Sequence, residues 1–185
     1  MASSEAPRVS ASSKVDGAAA TKDLPPLSDR DFRIYNRLAE KMDLLHNNFR
    51  RSWNLLWSAC EANRRPRGMT LKQFINEGLR FAEHLTMHHD IEEQHVFPHL
   101  GLRMPEFRGD LQGQHAQIHR GLVGFETYLR DCTSGRKDFE LSALHENMKS
   151  WSNILWTHLD DEVKVLGAEN MRRYWSKEDM QRMPM

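Results

Sequence analysis

Apolar residues recur at every third or fourth position through most of the chain after residue 28, which is typical of amphipathic helices. The first run predicts a helix over residues 29–60. A second predicted helix begins at Thr70, where Thr70 and Gln73 form a capping-box pattern. Further runs predict helices over residues 109–133 and, with the most regular spacing, over residues 138–166. The strict alternation that would indicate a strand is missing from the sequence.

Four helices joined by short loops predict an all-α fold, an antiparallel up-down-up-down four-helix bundle. Residues 1–27 are rich in Ala and Ser and have no apolar period, so we predict a disordered N-terminal arm there. Residues 28–185 would then form one bundle domain that ends in a short C-terminal helix beginning at Ser176. The length of 185 residues suits one such domain.

Histidine and glutamate side chains interrupt the apolar faces of the predicted helices. Two residues four positions apart lie on the same face of a helix, one turn from each other. Three pairs with this spacing and one single histidine fall on the predicted core faces: His88 with Glu92, His115 with His119, His158 with Glu162, and the single His46. Four helices that each direct such side chains inward can build a metal site in a bundle core.

A buried cation would account for so many polar groups on core faces. Histidine and glutamate are costly to bury without a partner, and a metal-free network would need a separate partner for each group. Imidazole and carboxylate ligands suit iron, manganese or zinc. The two cysteines, Cys60 and Cys132, do not form a CxxC motif, which excludes a thiolate site of that kind. Seven candidate ligands exceed the four of a tetrahedral zinc site and favour two metal ions bridged by carboxylates.

Two further histidines leave the ligand set open at one point. His89 and Glu93 have the same spacing as His88 and Glu92, about 100° around the helix. The apolar track that reaches Leu85 favours His88 as the ligand. His84 lies one turn before His88, and we expect it to be a buried, hydrogen-bonded histidine rather than an eighth ligand.

The complete set resembles the hemerythrin-like, or HHE cation-binding, proteins. The run HHDIEEQHVFPHL is similar to the second-helix signature of that family, and the resemblance extends over about residues 29–166. It implies two iron ions bridged by Glu92, Glu162 and an oxo or hydroxo group, with zinc or manganese less favoured. The resemblance implies these terminal ligands: His115, His119 and His158 on one iron, and His46 and His88 on the other.

One departure from the oxygen-carrying members affects the predicted function. Those members have an aspartate five residues after the histidine of the fourth helix, whereas here that position is Val163 and the carboxylate is Glu162. The spacing resembles the intracellular branch, which includes iron- and oxygen-responsive proteins. We therefore predict a cytoplasmic non-haem diiron protein that binds or senses dioxygen or iron. The alternatives are a diiron oxidase or oxygenase acting on a small metabolite, peroxide or nitric oxide, and a purely structural zinc site.

Charge and hydropathy exclude two classes of partner. Lys and Arg total 26 and so do Asp and Glu, so the chain has no net charge that would attract nucleic acid or an anionic membrane. Its apolar runs are shorter than the roughly 20 residues that span a bilayer. The predicted partners are dioxygen or a similar small ligand and, for a sensor, another protein, because the sequence has no recognisable effector domain.

Overall fold

The computed structural model describes residues 24–184, and within that range the chain is helical without any strand. The predicted all-α class is therefore confirmed, whereas residues 1–23 of the predicted arm lie outside the described residues. The helices are Asp29–Glu61 (α1), Leu71–Ile91 (α2), Phe97–Leu100 (α3), Asp110–Thr133 (α4), Leu141–Val165 (α5), Ala168–Tyr174 (α6) and Lys177–Arg182 (α7). A π-helix, Glu92–Val96, joins α2 to α3, and a 3-10 turn, Pro105–Arg108, precedes α4.

Local capping fixes where the helices begin. The Ser28 side chain accepts a hydrogen bond from the Asp31 amide at the start of α1. At α2 the capping box predicted at Thr70 and Gln73 is confirmed, with both reciprocal hydrogen bonds formed. The predicted C-terminal helix is also present as α7, where Ser176 is the N-cap.

The four long helices surround a common core. Each packs against two others in the cyclic order α1, α2, α4, α5, while α6 and α7 pack against α1. Close contact between α4 and α5 depends on Gly121, because a Cβ atom there would lie 2.3 Å from Cγ of Trp151. None of the helices within residues 24–184 combines the length and apolar composition needed to cross a membrane.

The apolar core consists of two clusters separated by a polar level. The first cluster includes Trp53, Phe81, Phe125, Trp151 and Leu155. The second cluster includes Met42, Phe97, Leu111, Leu166 and Met171.

On α1 and α4, a buried candidate ligand lies between residues of these two clusters. On α1, for example, His46 comes between Met42 of the second cluster and Phe49 of the first. On α4, His115 comes between Leu111 and Ile118 in the same way. The buried candidate ligands therefore form one polar layer across the core.

The helical segment that begins at Leu71 does not stop at Ile91, the last residue of α2. Instead the chain stays helical to Leu100 by widening into the π-helix Glu92–Val96, in which the Phe97 amide donates to the Glu92 carbonyl five residues earlier. Proline has no amide hydrogen to donate to an ordinary α-helical turn, so a local widening just before Pro98 accommodates it. Such π segments occur often at functional sites, and this one begins at a candidate ligand.

Candidate metal centre

The structure brings buried imidazole nitrogens and carboxylate oxygens together in two groups that share Glu92. In each group the potential ligand atoms all lie within 4.8 Å of one another. The first group comprises His46, His88, Glu92 and Glu162. The second group comprises His89, Glu92, His115 and His158.

The first group joins α1, α2 and α5 through close polar contacts. His46 Nε2 lies 3.2 Å from His88 Nε2 and 3.3 Å from an oxygen of Glu162. His88 Nε2 in turn lies 3.0 Å from Glu92 Oε1. Four ligand atoms from three helices thus face one small volume.

The second group repeats this arrangement with α2, α4 and α5. His115 Nε2 lies 3.2 Å from His158 Nε2 and 3.3 Å from Glu92 Oε2. Glu92 therefore directs one oxygen to each group. The Glu162 Oε2 atom that faces His46 also lies 3.8 Å from His158 Nε2. Both carboxylates are placed between the two groups, as bridging ligands would be.

Hydrogen bonds on the outer ring nitrogens orient three of these imidazoles. The Nδ1 atoms donate to acceptors outside the groups: His46 to the Leu159 carbonyl at 3.0 Å, His115 to Glu93 at 2.9 Å and His158 to Gln114 at 3.1 Å. In a neutral imidazole, a proton on Nδ1 leaves a lone pair on Nε2. Each Nε2 atom is thus prepared to accept, and a metal ligand commonly has this outer hydrogen bond.

Several buried polar atoms of the layer have no hydrogen-bond partner within residues 24–184. They are His89 Nε2 and all four side-chain oxygens of Glu92 and Glu162. The imidazole nitrogens lie close to these oxygens but do not form hydrogen bonds of normal geometry with them. Unpartnered buried polar atoms are costly. The same atoms suit a hard or borderline cation, so the donor set fits a metal centre.

Burial shifts the pKa values of several groups in the layer in the direction that favours their uncharged forms. It raises the pKa of Glu92 to about 8, with a further upward contribution from the charge of Glu162. It lowers the pKa of His158 to about 3 and that of His89 well below its usual value. For Glu162, burial raises the pKa but is outweighed by His46 and the neighbouring imidazoles, so the net shift is downward. The pKa values of the two carboxyl groups are therefore shifted in opposite directions.

The structure differs from the predicted set at His119 and His89. His119 is exposed on α4 and joins neither group, whereas His89 is 5% exposed and lies in the second group. The spacing of four residues from His115 predicts an inward position for His119 only if the inward face of α4 is wide. At about 100° per residue, His119 lies about 80° from the midline of the buried stripe of α4, and His115 only about 40° from it.

A second apolar track on α2 was the signal that would have identified His89. Ile75 and Ala82 are buried and precede His89 at intervals of seven residues, which is nearly two helical turns. The track through Leu85 leads only to His88 and therefore does not identify His89. The inward face of α2 is wide enough for both histidines, and they lie on either side of its midline.

The other predicted positions have mixed outcomes. His46, His88, Glu92, His115, His158 and Glu162 come together as described. His84 was expected to be buried, but it is exposed and faces the groove between α1 and α2.

A groove between α1 and α2 reaches the polar layer from outside. It encloses about 860 Å³ and is lined on its inner side by His88 and Glu92. The His88 side chain keeps 10% of its surface exposed, whereas the other residues of the first group are almost completely buried. Access to the layer from this direction therefore passes His88.

Comparison with known protein families gives an independent result. Residues 37–169 match the family model described as the hemerythrin HHE cation-binding domain. The chain belongs to this family. The match includes every residue of the two groups, so metal-ion binding by the hemerythrin-like layer is supported by the family as well as by the geometry.

Comparison with curated proteins finds a fungal relative. The dimeric xanthone biosynthesis cluster protein R11 of Cryptosporiopsis sp. (strain 8999) is 28% identical over 152 residues, which cover 76% of this chain and 55% of the relative. The chain thus spans about half the length of that relative. No solved structure matches significantly.

Proposed function

We propose that this chain is a non-haem diiron protein of the antiparallel up-down-up-down bundle type, and that it binds or senses dioxygen or iron. The proposal is supported mainly by imidazole Nε2 atoms that face each other across the layer. His115 and His158 each donate through Nδ1 to an outer acceptor, yet their Nε2 atoms lie 3.2 Å apart. Two lone pairs at that distance repel each other unless a cation lies between them and the carboxylates.

The number and type of ligands support two ions and favour iron. The layer offers five imidazoles and two carboxylates: His46, His88, His89, His115, His158, Glu92 and Glu162. Seven nitrogen and oxygen ligands exceed the requirement of a tetrahedral zinc site and suit a carboxylate-bridged pair of iron ions, with manganese as the next choice.

The two groups offer unequal numbers of imidazoles, and we infer that exogenous ligands bind at the first. It has two imidazoles, His46 and His88, whereas the second has three. The first group also adjoins the groove at His88. A carboxylate-bridged pair of ferrous ions can supply electrons to dioxygen. The residues around it determine access and protonation.

Aromatic side chains and outer acceptors would keep the centre dry and its histidines oriented. Phe97 stacks on His115 with ring centroids 4.8 Å apart, and Phe49 packs against His88 at 5.1 Å. Glu93 and Gln114 accept the Nδ1 hydrogens of His115 and His158. The Phe97 contact limits water near the second group, and the two acceptors hold the Nε2 lone pairs of His115 and His158 toward the layer.

The proposal is tested by metal analysis and visible spectroscopy of protein purified without added metal. We expect about two irons per chain, and near-ultraviolet charge-transfer bands that appear when dioxygen is admitted to the reduced protein. Reversal of those bands on deoxygenation would support binding or sensing. Protein that contains zinc alone, or no metal after incubation with ferrous ions, would contradict the diiron proposal.

A second candidate is an oxidase or oxygenase that acts on a small metabolite, peroxide or nitric oxide. It is favoured by the groove of about 860 Å³ beside His88 and Glu92, a volume within the range of small-molecule sites. The name of the fungal relative refers to a biosynthesis cluster, which is consistent with such a role. Repeated dioxygen consumption with a substrate would favour this candidate, whereas a single stoichiometric uptake would favour binding.

We also propose a cytoplasmic location. Cys60 and Cys132 are both free thiols. Burial raises the pKa of Cys60 to about 11, so this thiol stays protonated and unreactive at neutral pH. Free thiols without a disulfide framework are typical of a reducing compartment, and fractionation of cells that express the tagged chain would test this.

A further inference from the structure

The groove between α1 and α2 has an apolar middle that is open to solvent. Leu45 on α1 and Met87 and Ile91 on α2 line it and are 39%, 55% and 50% exposed. Three large apolar side chains from two helices thus line one groove and are open to solvent, and exposed apolar surface of this kind often marks a binding site. The apolar patch lies directly outside His88 of the polar layer.

The charged groups that line the groove are almost all basic. Lys41, Arg51 and Arg80 line it, and the carboxylate among its lining residues is the buried Glu92 of the layer. Arg80 pairs with Glu77, which lies outside the groove. In contrast, Arg51 contacts the amide of Asn48 and forms no ion pair with any carboxylate within residues 24–184. Among the described residues, the groove thus offers two cations without an ion-pair partner, the Lys41 ammonium and the Arg51 guanidinium.

We propose that this groove binds a small amphipathic anion: a carboxylate head held by Arg51, and an apolar body that lies over Leu45, Met87 and Ile91 and passes the outer side of His88. A guanidinium binds a carboxylate through two parallel hydrogen bonds, which suits Arg51 as the recognition group. The volume of about 860 Å³ accommodates a ligand of this size. Binding in the groove does not depend on the metal, whereas the placement of the body next to iron rests on the proposed function.

The first test measures binding by calorimetry with decanoate, decanol and decylammonium on chelator-treated protein and on zinc-loaded protein. We expect decanoate to bind at least about tenfold more tightly than decanol, because the alcohol lacks the charged hydrogen bonds to Arg51. Decylammonium should bind most weakly. Among carboxylates from hexanoate to decanoate, each added methylene should strengthen binding about fourfold while the groove fills. Equal affinity for all three head groups would overturn the proposal.

Variants with matched controls test which residues bind the head group and which contact the apolar body of the ligand. Arg51→Glu should weaken decanoate binding about tenfold or more, whereas Arg120→Glu, which changes an exposed arginine of α4 outside the groove, should leave it unchanged. Met87→Asp should also weaken binding, with Val123→Asp as the control at a 49% exposed position on α4. Circular dichroism and metal content must match the unmodified chain for a variant to count. Unchanged affinity in both groove variants would contradict the proposal.

Two further outcomes separate this inference from its alternatives. The first is a dimer of the chain that the Met87→Asp substitution dissociates but that added decanoate leaves intact. In that case a second copy of the chain covers the groove, and the proposal is wrong. In iron-loaded protein, decanoate should perturb the visible spectrum, because its body passes His88. A protein that holds two irons but does not bind decanoate would contradict the groove proposal alone. A protein that binds decanoate but holds no iron would contradict the diiron proposal alone.

Discussion

The imidazole rings of His89 and His115 are stacked, with centroids 3.9 Å apart and ring planes inclined by 20°. This contact joins α2 to α4 at the level of the polar layer. It also places His89 Nε2, which has no hydrogen-bond partner within the described part of the chain, beside the second group of ligands. The stacking therefore distinguishes His89 from the exposed His119, which the spacing alone had favoured.

Replacement of His89 should change the metal content, and replacement of His119 should not. We expect His89→Ala to lose about one of two metal ions and to unfold at a lower temperature, because binding energy at such a site is also folding energy. His119→Ala is the matched control, since its side chain is exposed on α4. Elemental analysis and thermal melting of both variants check this. Loss of metal in the His119 variant alone would instead support the ligand set predicted from the sequence, which includes His119 and not His89.

Replacement of Glu93 should weaken metal binding without removing a ligand. Its carboxylate accepts the His115 Nδ1 hydrogen at 2.9 Å and so increases the basicity of Nε2. Glu93→Gln keeps a hydrogen-bond acceptor but loses the charge, and we expect metal affinity to fall roughly tenfold, measured by competition with a chelator. Glu83→Gln, an exposed position on α2, is the control. Equal affinities in the two variants would rule out an effect of Glu93 on the centre.

The metal-free protein should be most stable near neutral pH and lose stability as pH falls. The folded-state pKa values of His88, His89 and His158 are lowered from the usual 6.5, mainly by burial. Below pH 6.5 the unfolded chain therefore binds more protons than the folded chain. The free energy of unfolding consequently decreases as the pH falls.

Glu92 has the opposite effect on this profile. Its pKa is raised from 4.5 to about 8, so its contribution to stability decreases as pH rises through that interval. Below pH 6.5 the three histidines contribute more than Glu92 to the change in the free energy of unfolding with pH. Above pH 6.5 the contribution of Glu92 is the larger one. Urea midpoints of chelator-treated protein at pH 5, 6.5 and 8.5 should therefore be highest at the middle value. A midpoint that rises steadily toward pH 5 would contradict the burial of neutral histidines.

Close packing of α4 against α5 should make Gly121 sensitive to the smallest substitution. In Gly121→Ala the new Cβ would meet Trp151 Cγ at 2.3 Å, and overpacking of this kind destabilises by about 1–3 kcal/mol. The control is Gly113→Ala in the same helix, where nothing lies within 4 Å of an added Cβ. That variant should be stabilised by roughly 0.5–1 kcal/mol, because alanine is the better helix former. Denaturant unfolding of the two variants should shift in opposite directions.

Helix positions and the identity of most inward polar residues could be predicted from the sequence, because a period of 3.6 residues fixes which face is apolar. The capping box at Thr70 and the inward positions of His115 and His158 follow from such local rules. The width of each inward face could not be predicted. It depends on how closely neighbouring helices approach, and this decides whether a residue at the edge, such as His89 or His119, is buried.

The π-helix and the outer hydrogen bonds were also beyond the sequence pattern. The π-helix at Glu92–Val96 forms when it costs less free energy than either an unsatisfied carbonyl near Pro98 or an earlier end of the helix. Local helix propensity does not determine which of these costs is smallest. The contacts of Glu93 with His115 and of Gln114 with His158 join residues 22 and 44 positions apart. Such pairs become visible only when the packing of the helices is known.

The separation of the apolar core into two clusters by the polar layer has a mechanical consequence. The buried apolar residues form separate clusters on the two sides of this level, so the two sides can unfold as separate cooperative units when no metal is bound. A bound metal pair would tie all four long helices together at that level. Hydrogen exchange at the end that contains α6 and α7 would then report metal loading.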